Sequence, residues 1–281
     1  MMIFHRIEEV KDQINSWKKA GLSIGFVPTM GYLHEGHCSL IKRASMENDK
    51  VVVSIFVNPI QFNVKDDLDT YPRDLERDVK KVLESGGHLI FNPSVEEMYP
   101  SNFSTFIEVE GLTDELCGRS RPGHFRGVCT VVTKLFNIVT PTRAYFGEKD
   151  AQQLAVIKRM VEDLNMDIEI IACPIVREED GLAKSSRNVH LNPQEREAAV
   201  ILSKSLLAAK DFILEGNRDS ETIITYIKSI LEKEPLCKID YVEIVDSVNL
   251  KPVEKVNKPV LIALAAFFGK TRLIDNITIN V

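Results

Sequence analysis

Residues 22–57 read LSIGFVPTMGYLHEGHCSLIKRASMENDKVVVSIFV, and this stretch decides the fold class. Leu22 to Pro28 is a short apolar strand, closed by a Pro-Thr-Met-Gly turn and followed by a helical stretch from about Gly36 to Asn48. Val51 to Val57 is then an uninterrupted run of β-branched and aromatic residues. Such a run marks a strand buried on both faces in a parallel sheet, so helices must cover both sides.

The same alternation continues outward. Upstream, MMIFHRIEEV runs into an amphipathic helix with Ile7, Val10, Ile14 and Trp17 on one side. It lacks an apolar signal core, which predicts that the chain is not exported. Downstream, the pattern predicts a helix over Arg73 to Ser85, a strand over His88 to Phe91, a helix over Gly127 to Val139 and a strand over Arg143 to Phe146. A helix over Gln152 to Leu164 and a strand over Asp167 to Ala172 follow. This order specifies an α/β fold, a Rossmann-like parallel sheet with helices on both faces. Regular alternation ends near Pro174, and a loop rich in charge and small residues runs to Asn192. Beyond it, helices over Gln194 to Leu214 and Ser220 to Glu232 precede strands over Ile239 to Val245, Pro259 to Phe268 and Thr271 to Ile279. Helices followed by strands predict a smaller C-terminal α+β domain, so the chain divides into 1–176 and 177–281.

Composition excludes several classes of function. The 281 residues carry a net charge of −6, so there is no general positive field to gather nucleic acid or an acidic membrane. The longest apolar run, Val260 to Phe268, is far short of the roughly 20 residues needed to cross a bilayer. Five scattered cysteines, none spaced as C-x-x-C, fit neither a disulfide framework nor a zinc clip, and a reducing cytoplasm suits them best.

Three segments carry candidate chemistry. His34 and His37, in Pro28-Thr29-Met30-Gly31-Tyr32-Leu33-His34-Glu35-Gly36-His37, lie where a strand hands over to a helix, the place where open parallel sheets bind ligands. Three residues apart, the imidazoles share a face of a helical turn beside backbone N–H groups that attract phosphate. Gly31 and Gly36 let backbone approach a ligand closely. Taken alone, the pair also fits a surface pair or two metal ligands, with His124 as a third, although no H-E-x-x-H spacing is present. Gly147-Glu148-Lys149-Asp150 follows a buried strand and opens a helix carrying Gln152 and Gln153, so Lys149 can reach phosphates; an ordinary capped helix would read the same. Ala183-Lys184-Ser185-Ser186-Arg187-Asn188 is a basic, hydroxyl-rich loop suited to a triphosphate, or a solvated linker. No G-x-x-x-x-G-K-[ST] occurs, which excludes a P-loop.

Together HEGH and KSSR resemble the HIGH and KMSKS signatures of the nucleotidyl transferase superfamily. Within it, PTMGYLHEGH, SIFVNPIQF, YPRD, RPGHFRGV, YFGEKDAQQL and REEDGLAKSSRN, in that order between Pro28 and Asn188, resemble the pantothenate synthetase family of AMP-forming pantoate:β-alanine ligases. The resemblance implies ATP-dependent condensation of D-pantoate with β-alanine through a pantoyl adenylate, with release of pyrophosphate and AMP. It implies an ATP site of Met30, Gly31, Tyr32, Leu33, His34, Glu35, Gly36 and His37, with His37 the proton donor and His34 steadying phosphates. Gly147, Glu148, Lys149, Asp150, the backbone at Val176, and Lys184, Ser185, Ser186 and Arg187 complete that site. Gln61 and Gln153, with Asn58 nearby, hold pantoate; magnesium bridges the phosphates with help from Asp78. Residues 177–281 read as a small lid, while the resemblance makes residues 1–176 the ATP- and pantoate-binding domain and implies a homodimer; composition points to the cytoplasm and to no nucleic-acid or membrane partner. A related transferase with another acceptor, a zinc hydrolase and a non-catalytic nucleotide sensor are the rival readings.

Overall fold

The computed structural model describes residues 1–62 and 68–280. Its contacts divide the chain into two units. The first comprises Met1–Glu110, Ser120–Glu148 and Val156–Pro174; the second comprises Gly111–Arg119, Lys149–Ala155 and Ile175–Val281.

In the first unit, strands β1 (Met2–Phe4), β2 (Ile24–Thr29), β3 (Lys50–Ile55), β4 (Leu89–Phe91), β5 (Arg143–Gly147) and β6 (Glu169–Cys173) form one sheet of order β1-β4-β3-β2-β5-β6. Every pairing in it is parallel. The VVVSI run is β3, where Val51, Val52 and Val53 are completely buried. On one face Val51, Val53 and Ile55 pack with Leu40, Ile41 and Ala44 of helix Glu35–Glu47 and Val82 of helix Leu75–Glu84. On the other, Phe26 meets Phe136 of helix His124–Val139 edge-on, ring centroids 6.3 Å apart. Each valine, leucine, isoleucine or phenylalanine among them contributes about 1.5–3 kcal/mol when fully buried. The sheet therefore has helices on both faces, as the sequence requires.

Three details differ from the sequence reading. Residues Met2–Phe4 are a strand, not merely a lead-in to helix Ile7–Lys19. Three residues are too few to display a period, and this strand exists through its pairing with β4, 87 positions away at Met2↔Leu89. Thr29 completes β2 rather than belonging to the turn. The long helix from Gln194 is two helices, Pro193–Ala198 and Ile201–Leu214. Between them Val200 donates to the Glu197 carbonyl and Leu202 to that of Ala199, the tighter three-residue bonding of a 3₁₀ turn. No glycine or proline announces it.

The second unit holds an antiparallel sheet β7-β8-β9, with β7 Cys237–Asp246, β8 Val260–Phe268 and β9 Thr271–Ile279. Helices Ile201–Leu214 and Ser220–Leu231 share one apolar core with it, from Leu206, Ile213, Ile223 and Ile227 to Ile262 and Leu264. This is the smaller α+β element the sequence predicts. Among the described residues no helix is long and apolar enough to cross a membrane.

Where β7 ends, Asp246 accepts from the backbone N–H groups of Val248 and Asn249, each at 2.9 Å, and pairs with Lys258. Lys258 and these N–H donors hold the Asp246 carboxyl down at about 2. A depressed acid stabilises the fold above its unfolded value and loses that contribution as pH falls through the folded one. Between about pH 4 and pH 2 the wild type should therefore lose stability more steeply than Asp246→Asn in pH-dependent urea unfolding.

Candidate active site

The strand order changes direction between β2 and β5, since the chain steps outward from β2 through β3 to β4 and then returns to β5 on the other side. Ligands of open parallel sheets sit at the carboxyl ends of the strands beside such a reversal. Here the end of β2 carries Met30–His37 and the end of β5 carries Gly147 and Glu148, so two sequence-distant segments become neighbours. A Cβ built on Gly147 meets nothing within 4 Å, leaving open space over that strand end.

His34 is the N-cap of helix Glu35–Glu47 and His37 its third residue. The His34 Nδ1 accepts from the Gly36 N–H at 3.1 Å, and the His37 Nδ1 accepts from the His34 N–H at 3.3 Å. The rings lie 4.1 Å apart, tilted by 39°. Two imidazoles thus form the reciprocal capping box usually made by a hydroxyl and a carboxylate. A ring whose Nδ1 accepts a hydrogen bond carries its proton on Nε2, so each histidine presents an Nε2–H donor. Those donors stand at the positive end of a helix, where anions are favoured.

The loop before the histidines is held from below. Gly31 (φ +86°) and Tyr32 (φ +50°) both lie in the left-handed region, which an aromatic residue holds only when its surroundings fix it. Those surroundings are supplied by helix Leu75–Glu84. The buried Asp78 carboxylate accepts from the N–H of Tyr32 and of Leu33, each at 2.7 Å. A Cβ on Gly31 would stand 3.0 Å from the same carboxylate. The Arg77 guanidinium lies 4.4 Å over the Tyr32 ring, and Lys81 pairs with Glu35 at 3.1 Å. Burial pushes the Asp78 carboxyl up, against the two N–H donors. Asp78, expected from the resemblance to help hold magnesium, has each of its oxygens engaged by a backbone N–H.

Asn58 and Gln61 follow β3 in a turn, Pro59–Gln61, and both are buried. The Asn58 amide donates to Gln61 Oε1 at 3.0 Å and to the Gly127 carbonyl at 3.1 Å, while Tyr99 donates to Asn58 Oδ1 at 2.8 Å. Gln61 Nε2 donates to the Met30 sulfur at 2.9 Å, joining this turn to the histidine loop. His124 serves the same turn. Its Nδ1 donates to the Gln61 carbonyl at 2.7 Å and its Nε2 accepts from Arg121 at 3.1 Å. Both ring nitrogens are thus engaged, and among the described residues no group of three His, Cys, Asp or Glu is arranged to hold a metal ion. The zinc arrangement left open by the sequence does not form.

The remaining candidates belong to the second unit. Lys149 and Asp150 lie in a 3₁₀ turn leading into helix Ala151–Asp163, on which Gln153 is half-buried. Val176 and Lys184 are brought together: the Lys184 N–H donates to the Val176 carbonyl at 2.9 Å across a tight hairpin turning at Gly181 (φ +98°). Lys184 Nζ pairs with Glu178 at 2.7 Å. Ser185 caps the 3₁₀ helix Ser186–His190 by accepting from the Arg187 N–H at 3.3 Å. A relay links this hairpin to the lysine corner. Arg177 donates to the Gly181 carbonyl and, at 2.7 and 2.9 Å, to both oxygens of buried Asp275; the neighbouring Asn276 amide donates to the Lys149 carbonyl at 2.9 Å.

Sequence reasoning missed Tyr99, Gly127, Asp275 and Asn276, all of which position other groups. None belongs to a local pattern; only RPGHFRGV, which contains Gly127, carried any signal. Gln152, rather than Gln153, is the buried amide of its helix, and it donates to the carbonyls of Leu112 and Glu115 at 2.9 and 2.7 Å.

Comparison with known proteins gives the family. A family model described as pantoate-beta-alanine ligase matches residues 2–278. A pantothenate synthetase from Clostridium acetobutylicum is 62% identical over 281 residues, covering 100% of both chains. The crystal structure of pantothenate synthetase from Thermus thermophilus superposes with a TM-score of 0.92 at 46% identity, covering 99% of each chain. A pantoate-beta-alanine ligase from Francisella tularensis, in complex with beta-gamma ATP and beta-alanine, gives a TM-score of 0.82 at 40% identity over 99% of this chain and 97% of that one. With its parallel sheet, its histidine capping box at the strand reversal and likeness along its whole length, the chain belongs to the pantoate-beta-alanine ligase family.

Proposed function

We propose that this chain condenses D-pantoate with β-alanine, using ATP and releasing pyrophosphate and AMP, through a pantoyl adenylate. The observation that carries the reading is the histidine capping box, two Nε2–H donors at a helix N-terminus beside the buried amides of Asn58 and Gln61. The Francisella relative's complex supports ATP and β-alanine as ligands here.

A carboxylate is a poor electrophile, and adenylation supplies the leaving group that lets an amine displace it. In the first step the pantoate carboxylate attacks the α-phosphorus in line with departing pyrophosphate. Charge grows on phosphate oxygens, and His34, His37, Lys149, Lys184 and Arg187 stabilise it, each preorganised donor contributing on the order of 3 kcal/mol. Met30–Leu33, Glu35, Gly36, Gly147, Glu148, Asp150, Val176, Ser185 and Ser186 complete the nucleotide site. Gln61, Asn58 and Gln153 hold pantoate through amide bonds to its hydroxyls and carboxylate. In the second step the neutral amine of β-alanine attacks the mixed anhydride, from which residues 177–281, acting as a lid, exclude water. Magnesium, when bound with the triphosphate, would neutralise part of the phosphate charge. Cytoplasmic location and a homodimer complete the proposal.

Incubating the protein with ATP, magnesium, pantoate and β-alanine should yield AMP and pantothenate together. ATP left unconsumed would support a sensor instead, and turnover only with a different acid would support a related transferase. Gln61→Ala should raise the KM for pantoate at least about tenfold more than that for ATP, because a buried amide tuned to hydroxyls is lost. Equal losses in steady-state kinetics would remove Gln61 from the pantoate pocket.

A further inference from the structure

We propose that Asp78 is a positioning residue, whose carboxylate sets the two imidazoles by fixing the loop ahead of helix Glu35–Glu47, and is not a metal ligand. Both of its oxygens are engaged by consecutive backbone N–H groups at 2.7 Å, ending one residue before His34. Charge-assisted bonds of that length fix direction as well as distance. They act where the chain needs them most, at a left-handed Tyr32 that nothing in its own side chain favours. Arg77 and Lys81 on the same helix hold Tyr32 and Glu35 from either side, so helix Leu75–Glu84 braces the loop at three successive places. Arg77 and Lys81 are partly exposed, and exposed ion pairs add little; Asp78 is the buried member of the brace. The capping box depends on the resulting path, because the His34 N–H must reach the His37 Nδ1.

The kinetic arm of the test rests on the function proposed above; the spectroscopic arm does not. Long-range ¹H–¹⁵N spectra of the imidazoles should show His34 and His37 of the wild type with the proton on Nε2. In Asp78→Ala both rings should relax toward a mixture of tautomers, and in Asp78→Asn, which retains one acceptor, toward an intermediate. Spectra identical to the wild type in both variants would overturn the proposal. In pantoate-dependent exchange of labelled pyrophosphate into ATP, Asp78→Ala should lower the rate on the order of 100-fold. The half-saturating magnesium concentration should stay within about threefold of the wild type, since no ligand is lost. Combined with His37→Ala, the same substitution should add less than about threefold, because it acts through the group already removed. A roughly tenfold rise in the magnesium requirement with full rate restored at saturation, or fully additive losses, would overturn it. If His37→Ala leaves exchange intact, the functional reading fails, while the spectra still decide Asp78. Should Asp78→Ala not fold, the isosteric Asp78→Asn carries every arm.

Discussion

Replacing His37 by alanine should cut pantoate-dependent pyrophosphate exchange by about 10²–10³-fold while the protein remains folded. The loss is that of one preorganised donor: an Nε2–H whose direction is set because Nδ1 already accepts from the His34 N–H. Water can replace the ring but not its orientation. The structural cost is small by comparison, about 1 kcal/mol for half of a capping box. Helix Glu35–Glu47 is anchored elsewhere, by the burial of Leu40, Ile41 and Ala44 against β3. Circular dichroism of the variant should match the wild type. A folded His37→Ala protein with near-normal exchange would remove this histidine from the chemistry.

The second large effect is on stability, at Gly127. Helix His124–Val139 presses there against the Pro59–Gln61 turn so closely that a Cβ would stand 2.4 Å from the Ile60 carbonyl oxygen and 2.6 Å from the Gln61 Cα. Both are backbone atoms and cannot rotate away. Gly127→Ala should therefore cost about 3 kcal/mol, lowering the Tm by about 6 °C or more. It should also raise the KM for pantoate, because the displaced turn carries Gln61 and the Gly127 carbonyl holds Asn58. Gly147→Ala is the control. Open space surrounds its Cβ position, so thermal unfolding should be unchanged, and any loss of activity would report a ligand rather than the fold. Unaltered stability in Gly127→Ala would show that helix and turn can separate without cost.

Local side-chain pattern carried much of the information needed. The apolar run of β3 and the strand–turn–helix of residues 22–48 imply a parallel α/β sheet because solvent exclusion acts on periodicity that any reader of the chain can count. The histidine pair was legible for a similar reason: three-residue spacing after a strand end places both rings on one helical turn. The helix–strand order after Pro193 likewise announced the second sheet. What escaped was whatever depends on partners distant in the chain. The strand β1 exists only against β4, and the 3₁₀ turn at Ala199 and Val200 leaves no residue signal.

Sequence by itself determined the fold class, the family and the segments that carry chemistry, because these follow from local periodicity and short motifs. Tertiary structure alone decided what several of those residues do. It brought the ends of β2 and β5 side by side at the reversal of strand order, and it turned both imidazoles into capping acceptors with their protons outward. It gave Asp78 to two backbone N–H groups 45 and 46 positions away, and His124 to the Gln61 carbonyl. A carboxylate or an imidazole offers the same atoms to a metal, a phosphate or a peptide N–H; which one it meets is settled by packing between elements that the chain sequence keeps far apart.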